Sequence, residues 1–201
     1  MSQIARILIT LDDIEPVIWR RFDAPVTMNL RALHQVIQAV MGWEDRHLYE
    51  YRIGEKIYGE PPPPDLSWGR SVMQAKGLRL SALIDRAVTS LTYVYDFGDD
   101  WRHTLTIEEV RTAEPGVDYP RLVDGERAAP PEDCGGMPGY FEFVHAINDR
   151  SHPQHKELQA WSGEPYDPAD IGREIINDRL KSIVERRKVS LEAFHKSQRT
   201  R

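Results

Sequence analysis

Apolar and polar side chains alternate along residues 4–11, and the same alternation returns along residues 17–22. A period of two is typical of a strand that buries one of its faces. The apolar face of the first segment consists of Ile7, Ile9 and Leu11. In the second segment, Arg20 lies on the face opposite to Trp19 and Arg21. The chain therefore begins with two predicted strands, separated by an acidic turn.

A helical period replaces this alternation between residues 29 and 42. Apolar side chains recur three and four positions apart, at Leu30, Leu33, Ile37, Val40 and Met41. Asn29 or Thr27 is suited to cap the first turn, and Gly42 is suited to end the helix. This segment is the main packing helix of the predicted fold.

The middle of the chain combines β signals with a proline-rich interruption. Pro61 to Pro64 cannot lie in a helix interior or a central strand, so residues 59–77 are predicted as a loop. The regular elements predicted around this loop are a hairpin of residues 48–53 and 56–58 turning at Gly54 and Glu55, a short helix at 81–86, and strands at 91–97 and 103–110 joined by a turn at 98–100.

The last third of the chain is predicted to be helical. Residues 114–139 are rich in proline, glycine and acidic side chains, and a segment of this length is predicted to be a shaped or functional loop. Three helical patterns follow, marked by Tyr140, Phe143, Val144 and Ile147, then by Leu158 and Trp161, then by Ile171, Ile175 and Leu180. Strands first and helices later predict an α+β fold, with a mixed or largely antiparallel sheet, one main packing helix and a helical C-terminal part.

Composition limits the class of protein. A chain of 201 residues is large enough to bury a core without disulfides, and Cys134 is its single cysteine. No segment has the length and apolarity of a membrane span, and the first residues lack a signal-peptide pattern. We therefore expect a soluble cytoplasmic protein without a membrane partner.

The net charge of −6 is unevenly distributed, because basic side chains outnumber acidic ones eight to two in residues 179–201. We predict a domain of residues 1–180 followed by a basic helical tail of residues 181–201. The tail provides candidate contacts for weak, non-specific binding of nucleic acid, namely Arg186, Arg187 and Lys188. The alternative is that the same side chains dock on acidic groups of their own domain or of a second subunit in a homo-oligomer.

Two short segments concentrate residues that can bind ligands. The candidate binding residues are Asp96, Gly98, Asp99, Asp100, Trp101 and His103 in the first segment, and Glu132, Asp133, Cys134 and Gly135 in the second. Both segments are irregular and acidic and contain glycine. In a domain small enough to have one main cleft, we expect them to be neighbours in space.

The sequence supports two interpretations of these segments. In the structural one, Gly98 adopts an unusual dihedral angle and an aspartate caps backbone amides in a turn between two strands. In the other, the carboxylates and His103 bind a divalent metal, although no recognised ligand spacing is present. A nucleophilic Cys134 would need a histidine beside it, and His34, His47, His103 and His145 are the candidates. We assign no catalytic residue, no cofactor and no metal ligand from the sequence.

A third histidine pattern lies before the late helices. His152 and His155 are three residues apart, a spacing that suits a metal pair on a helix. Pro153 instead favours a helix start with both histidines exposed.

The chain resembles the plasmid pRiA4b ORF-3-like family, also known as the TnpR passenger proteins of insertion elements. The matching motifs are Ile14 to Arg21, Leu33-His34, Met41 to Trp43 with His47-Leu48, Tyr95 to His103, Gly125 to Gly136, Pro138 to Tyr140 and Tyr166 to Pro168. The resemblance covers residues 3–180. Ala129 stands where relatives often have cysteine, and Tyr166 stands where they often have phenylalanine.

This resemblance implies an α+β domain found near mobile elements of bacteria and archaea, and it implies no established activity or cofactor. Two functions are therefore compared. The first is a non-catalytic binding or accessory module whose contact surface is a groove lined by the acidic loops. The alternative is a metal-assisted hydrolase or nuclease that uses Asp96, Asp99, Asp100, His103 and Glu132. An enzyme requires these groups to converge in one concave site, whereas a binding module allows them to cap turns.

Overall fold

The structure, a computed structural model, describes residues 2–63, 71–163 and 166–199. Its strands are β1 (Gln3–Leu11), β2 (Trp19–Pro25), β3 (Tyr49–Ile53), β4 (Lys56–Gly59), β5 (Val72–Gln74), β6 (Ser90–Tyr95), β7 (Trp101–Thr112) and β8 (Arg121–Glu126). Its helices are α1 (Leu30–Met41), α2 (Leu80–Ile84), α3 (Gly136–Asn148), α4 (His155–Trp161) and α5 (Arg173–Arg199), with a 3₁₀ turn at Ala75–Gly77.

The described strands form one mixed sheet of eight strands in the order β5-β4-β3-β6-β7-β1-β2-β8. Neighbouring strands are antiparallel except β4 and β5, which are parallel. The predicted α+β class is therefore confirmed. β1 is an interior strand, with Ile7 opposite Phe22 of β2 and Ile107 of β7.

The alternation predicted for the first two strands is confirmed by burial. Ile7, Ile9 and Leu11 are buried on the face of the sheet that carries the core. Arg20 is also buried, whereas Arg21 lies on the opposite face, stacked over the ring of Trp19 and paired with a glutamate. One face of the sheet is thus covered and the other is largely solvated, as is common for antiparallel sheets.

Helix α1 covers the core face of the sheet. The side chain of Asn29 accepts a hydrogen bond from the amide of Ala32, and Gly42 ends the helix in the left-handed region with φ 82°. Both ends are therefore where the sequence predicts them. The apolar face of α1 is buried, and its members Leu30, Leu33, Ile37 and Val40 are each 0% exposed.

Strand β8 was not predicted, because residues 114–139 were interpreted as one loop. It pairs with β2 at the edge of the sheet and has no clear alternation of buried and exposed positions. A long-range ion pair holds its first residue, since Arg121 Nε lies 3.1 Å from Asp23 Oδ2. Asp23 is fully buried and also binds Arg6 and Arg111. Such a contact between distant residues leaves no periodic signal in the sequence.

Two further elements differ from the prediction. The interval 59–77 contains β5 and the 3₁₀ turn as well as irregular chain, while its residues 64–70 lie outside the described part. Helix α3 begins at Gly136, four residues before Tyr140, its first predicted core residue. Pro138 is compatible with this start because the first turn of a helix needs no amide hydrogen bonds from its own residues.

Helix α5 runs continuously across the predicted division at residue 180. Ile176, Leu180 and Val184 are buried, so both sides of that division pack on the body of the protein. Two of the basic candidates contact their own domain: Lys188 Nζ lies 2.7 Å from Asp118, and Arg187 donates a hydrogen bond to Thr27 Oγ1. Arg186 is exposed.

Replacing a core residue of α1 tests its predicted role. Leu33→Ala should lower the free energy of unfolding by about 2–5 kcal/mol, because the side chain is fully buried and its removal leaves a cavity. Urea unfolding measures this loss. The control is Arg31→Ala on the same helix, which removes an exposed side chain and a surface ion pair, and should cost less than about 1 kcal/mol. Equal losses would contradict the burial of this face.

Candidate functional site

The turn after β6 is built by aspartates. Asp96 and Asp100 both adopt the left-handed region, with φ 55° and 56°. Asp96 Oδ1 accepts hydrogen bonds from the amides of Gly98 and Asp99, at 2.9 and 3.4 Å. The predicted aspartate cap is therefore present, but the unusual dihedral angles belong to the aspartates and not to Gly98. A short polar side chain tolerates this region better than most because it bonds locally to the backbone.

The second predicted loop, residues 130–136, contacts this turn directly. The amide of Gly135 donates to Asp99 Oδ2 at 3.1 Å. Gly136 has φ 66°, and a Cβ atom placed on it would lie 2.8 Å from the carbonyl oxygen of Asp99. The two loops are therefore neighbours, as predicted, and a glycine is required where their backbones meet.

Four ionisable side chains converge between the two loops and the segment after α1, and we call His47, Asp96, Glu132 and Asp133 the His47 cluster. His47 Nε2 lies 2.8 Å from Asp133 Oδ1, 3.5 Å from Asp96 Oδ2 and 3.8 Å from Glu132 Oε2. Ligand atoms of His47, Asp96 and Asp133 all lie within 4.8 Å of one another. The arrangement places one imidazole nitrogen among three carboxylates.

The ring nitrogen at the centre of this cluster has no hydrogen bond. His47 Nε2 is shielded from solvent, and none of its contacts within the described residues has the angle of a hydrogen bond. The Asp96 and Glu132 side chains are 11% and 12% exposed, whereas that of Asp133 is 53% exposed. The cluster is thus closed on the protein side and open beside Asp133.

Hydrogen bonds from neighbouring groups hold Glu132 in place. Its Oε1 accepts from the amide of Glu44 at 2.7 Å and from the hydroxyl of Tyr95 at 2.9 Å. Burial, together with the adjacent Glu132, raises the pKa of the Tyr95 phenol above its usual value, so the hydroxyl keeps its proton and donates. Glu132 is therefore oriented before any ligand is bound.

The sequence comparisons place this site in a known family. The sequence model of the plasmid pRiA4b ORF-3-like protein family matches residues 3–174. The chain belongs to this family. The resemblance drawn from the motifs is thereby confirmed.

Two proteins are similar to this pRiA4b ORF-3-like protein over most of its length. The uncharacterised protein y4hQ of Sinorhizobium fredii is 40% identical over 185 residues, which are 91% of this chain and 93% of y4hQ. The crystal structure of MM3350, a protein of unknown function from Methanosarcina mazei Go1, has a TM-score of 0.78 at 30% identity. It covers 87% of this chain and 97% of MM3350. These relatives support the fold and attach no reaction to it.

Two of the predicted binding residues of this family member lie in the core. His103 and Trp101 are 0% and 2% exposed, and both rings lie near Trp43. Burial lowers the pKa of the His103 imidazole to about 3, so it stays neutral. The structure therefore does not bring His103 to the other predicted metal ligands, because the alternation of β7 directs it inward.

Asp99, Asp100 and Cys134 are predicted binding residues that lie outside the His47 cluster. Asp99 binds the amide of Gly135, and Asp100 pairs with Arg102 at 2.8 Å. Burial raises the pKa of the Cys134 thiol to about 12, so the thiol is protonated at neutral pH. A protonated thiol is a poor nucleophile and a poor metal ligand.

His47 is the residue of the cluster that the sequence did not identify as a binding residue; it was named only as a possible partner of Cys134. It lies in an irregular segment between α1 and β3, far in sequence from both acidic loops. Its sequence signal was its place with Leu48 in a family motif, four residues after Trp43. Only the packing of that segment against the loops shows its proximity to the carboxylates.

A second group of possible ligands lies at the end of α3. Glu142, His145 and His152 offer atoms within 4.8 Å of one another. His152 therefore joins His145 and not His155, whose ring bonds to the carbonyl oxygen of Ala146. The metal pair suggested by the spacing of His152 and His155 is not formed, because α4 begins at His155 and leaves His152 in the preceding turn.

None of the helices in the described ranges combines the length and apolar composition needed to cross a lipid bilayer.

The contact between the two loops is tested by Gly136→Ala, with Gly54→Ala as the control. Both glycines have positive φ, but a Cβ on Gly54 meets nothing within 4 Å. Gly54→Ala should cost about 1–2 kcal/mol of unfolding free energy from backbone strain alone. Gly136→Ala should cost about 1–3 kcal/mol more, because the methyl group also separates the loops.

Urea unfolding gives both losses, and hydrogen exchange of amides 132–136 should become faster only in Gly136→Ala. Equal losses with unchanged exchange would mean that the two loops do not depend on this contact.

Proposed function

We propose that this protein is a divalent-metal-binding module, in which the His47 cluster holds one ion and thereby fastens residues 130–136 to the turn after β6. The observation that carries the proposal is the buried, unbonded Nε2 of His47 among three carboxylates. A buried ring nitrogen without a hydrogen bond is unfavourable, and a metal ion would satisfy it.

The spacing of the candidate ligand atoms supports this proposal. Two ligands that each lie about 2.1 Å from one ion are about 3.0 Å apart at a right angle and about 3.4 Å apart at the tetrahedral angle. The three oxygens lie between 2.8 and 3.8 Å from Nε2. Small side-chain rotations would bring Nε2 and the three oxygens to about 2.1 Å from one shared ion.

The types of donor atom indicate which metals fit. One imidazole with carboxylate oxygens suits Zn²⁺ or Mn²⁺, whereas Ca²⁺ and Mg²⁺ prefer oxygen alone. Repulsion among three carboxylates also favours a cation between them, because the like charges lie within a few ångströms. The exposed side of Asp133 leaves space for a further ligand on the ion.

Binding is favoured over hydrolysis by the positions of the residues that the hydrolase alternative needs. Among its five residues, only Asp96 and Glu132 reach the His47 cluster. Asp99 accepts a hydrogen bond from the amide of Gly135, and Asp100 pairs with Arg102. His103 is enclosed in the core. In the part of the chain that the structure describes, Asp99, Asp100 and His103 are therefore not available beside the proposed ion as a general acid or base.

Metal titration of the EDTA-treated protein tests the proposal. Isothermal calorimetry with Zn²⁺ and with Mn²⁺ should detect an ion bound at the His47 cluster, and His47→Ala should weaken that event by at least about 10–100-fold, the loss caused by removing even an outer-shell partner. Asp133→Asn should also weaken it, and because this side chain is exposed the variant is expected to fold normally.

The matched control is His145→Ala, which removes a histidine from the second group of possible ligands and should leave binding at the His47 cluster unchanged. Binding that survives His47→Ala and disappears in His145→Ala would contradict the proposal. Metal-dependent hydrolysis of a phosphodiester by the native protein, absent from His47→Ala, would replace the binding module with the hydrolase.

A further inference from the structure

A cavity of about 380 Å³ lies between the end of α1, residues 128–132 and the start of α5. Its volume is within the usual range for small-molecule sites, roughly 300–1,000 Å³. Its lining includes Arg20, Trp43, Glu132, Tyr166, Ile176 and Arg179. Among the lining residues, only Glu132 also belongs to the His47 cluster.

The buried cation in the lining of this cavity is Arg20, which is 1% exposed. Its Nε donates to the carbonyl oxygen of Val40, and its Nη1 donates to those of Trp19 and Glu126. Gly125 makes room for it, since a Cβ there would lie 2.7 Å from Arg20 Cδ. The guanidinium is therefore held in one orientation by three backbone carbonyls and a close glycine.

This guanidinium lacks a counter-ion within the described residues. No carboxylate pairs with it there, and its Nη2 makes no hydrogen bond to a described group. Burial lowers the pKa of Arg20 to about 10, so the group still carries its charge at neutral pH. A buried charge without an anion is unfavourable, and proteins rarely retain one unless a partner arrives.

The walls of the cavity favour an anion with an apolar body. Trp43 and Ile176 are buried apolar side chains of the lining, and the hydroxyl of Tyr166 is already bonded to Ala129 and Tyr140. Arg179 adds a second guanidinium, fixed by the bond from its Nη1 to the carbonyl oxygen of Trp43.

Acidic groups in the lining limit the charge of a ligand. Glu132, Asp167 and Asp170 also border the cavity, and the two aspartates are exposed and cap the amides of Ala169 and Gly172. A ligand with a second negative charge would be repelled by them. The lining therefore suits a monoanion.

We propose that this cavity binds a small organic monocarboxylate, with its carboxylate on the free Nη2 edge of Arg20 and its apolar body against Trp43 and Ile176. Guanidinium and carboxylate are complementary in shape and charge, and desolvation in the cavity strengthens their interaction. The aromatic wall provides the remaining contact area.

Paired probes test this assignment. Benzoate, phenylacetate and hexanoate are titrated by ligand-observed NMR against their uncharged amides, with EDTA present so that the outcome does not depend on metal at the His47 cluster. At least one carboxylate should bind, and it should bind at least tenfold more tightly than its own amide. Arg20→Met should reduce that affinity at least tenfold; circular dichroism checks that the variant is folded, because the carbonyl oxygens of Val40, Trp19 and Glu126 lose their donor.

The matched control is Arg21→Met, which removes the neighbouring arginine from the opposite face of the sheet and should leave the affinity unchanged. Ile171→Trp, which fills the cavity without altering Arg20, should abolish binding. Equal affinity for acid and amide, no binding of any acid, or full affinity in Arg20→Met would overturn the proposal. Binding of inorganic phosphate without binding of the organic acids would also overturn it, because the apolar walls would then have no role.

Discussion

The packing of Trp43 is the interaction on which the arrangement of both candidate sites depends. Its ring is 3% exposed, stacks on Tyr95 at 4.8 Å between centroids and meets His103 edge-on at 5.3 Å. Its indole Nε1 donates to the carbonyl oxygen of Pro130, and its own carbonyl oxygen accepts from Arg179. One residue thus joins the end of α1, the sheet, the acidic loop and α5. Indole combines a large apolar surface with one directed donor, which suits it to this task.

The two proposed sites lie on adjacent parts of this framework and share Glu132. Its carboxylate belongs to the His47 cluster and also borders the cavity above Arg20. A cation bound beside Glu132 would offset a negative charge that otherwise opposes an anion in the cavity. The tyrosine and the amide that orient Glu132 come from β6 and from the segment after α1, so its position is set by the core and not by the loop that carries it.

Local patterns predicted the elements well and the site only in part. The period of two in β1 and the period near 3.6 in α1 record which face is buried, so both elements and their burial follow from the sequence. The acidic loops were recognisable because glycine and aspartate mark left-handed turns. His47 was not identified as a binding residue, and Arg20 was placed only on the strand face opposite to Trp19 and Arg21, because their roles depend on chain segments that are distant in sequence. β8 was missed for the same reason, since Asp23 holds Arg121 across almost a hundred positions.

The position of β1 between β7 and β2 constrains the order in which this chain can fold. β1 can pair with β2 early. Its other edge stays unpaired until β7 forms, where Ile107 lies opposite Ile7. β7 also joins β1 to β6 and so links the two halves of the sheet. Pairing between such distant segments is slow, and an unpaired strand with an apolar face is prone to aggregate. During synthesis, β1 therefore keeps one edge unpaired until β7, which follows it in the chain, has also been translated.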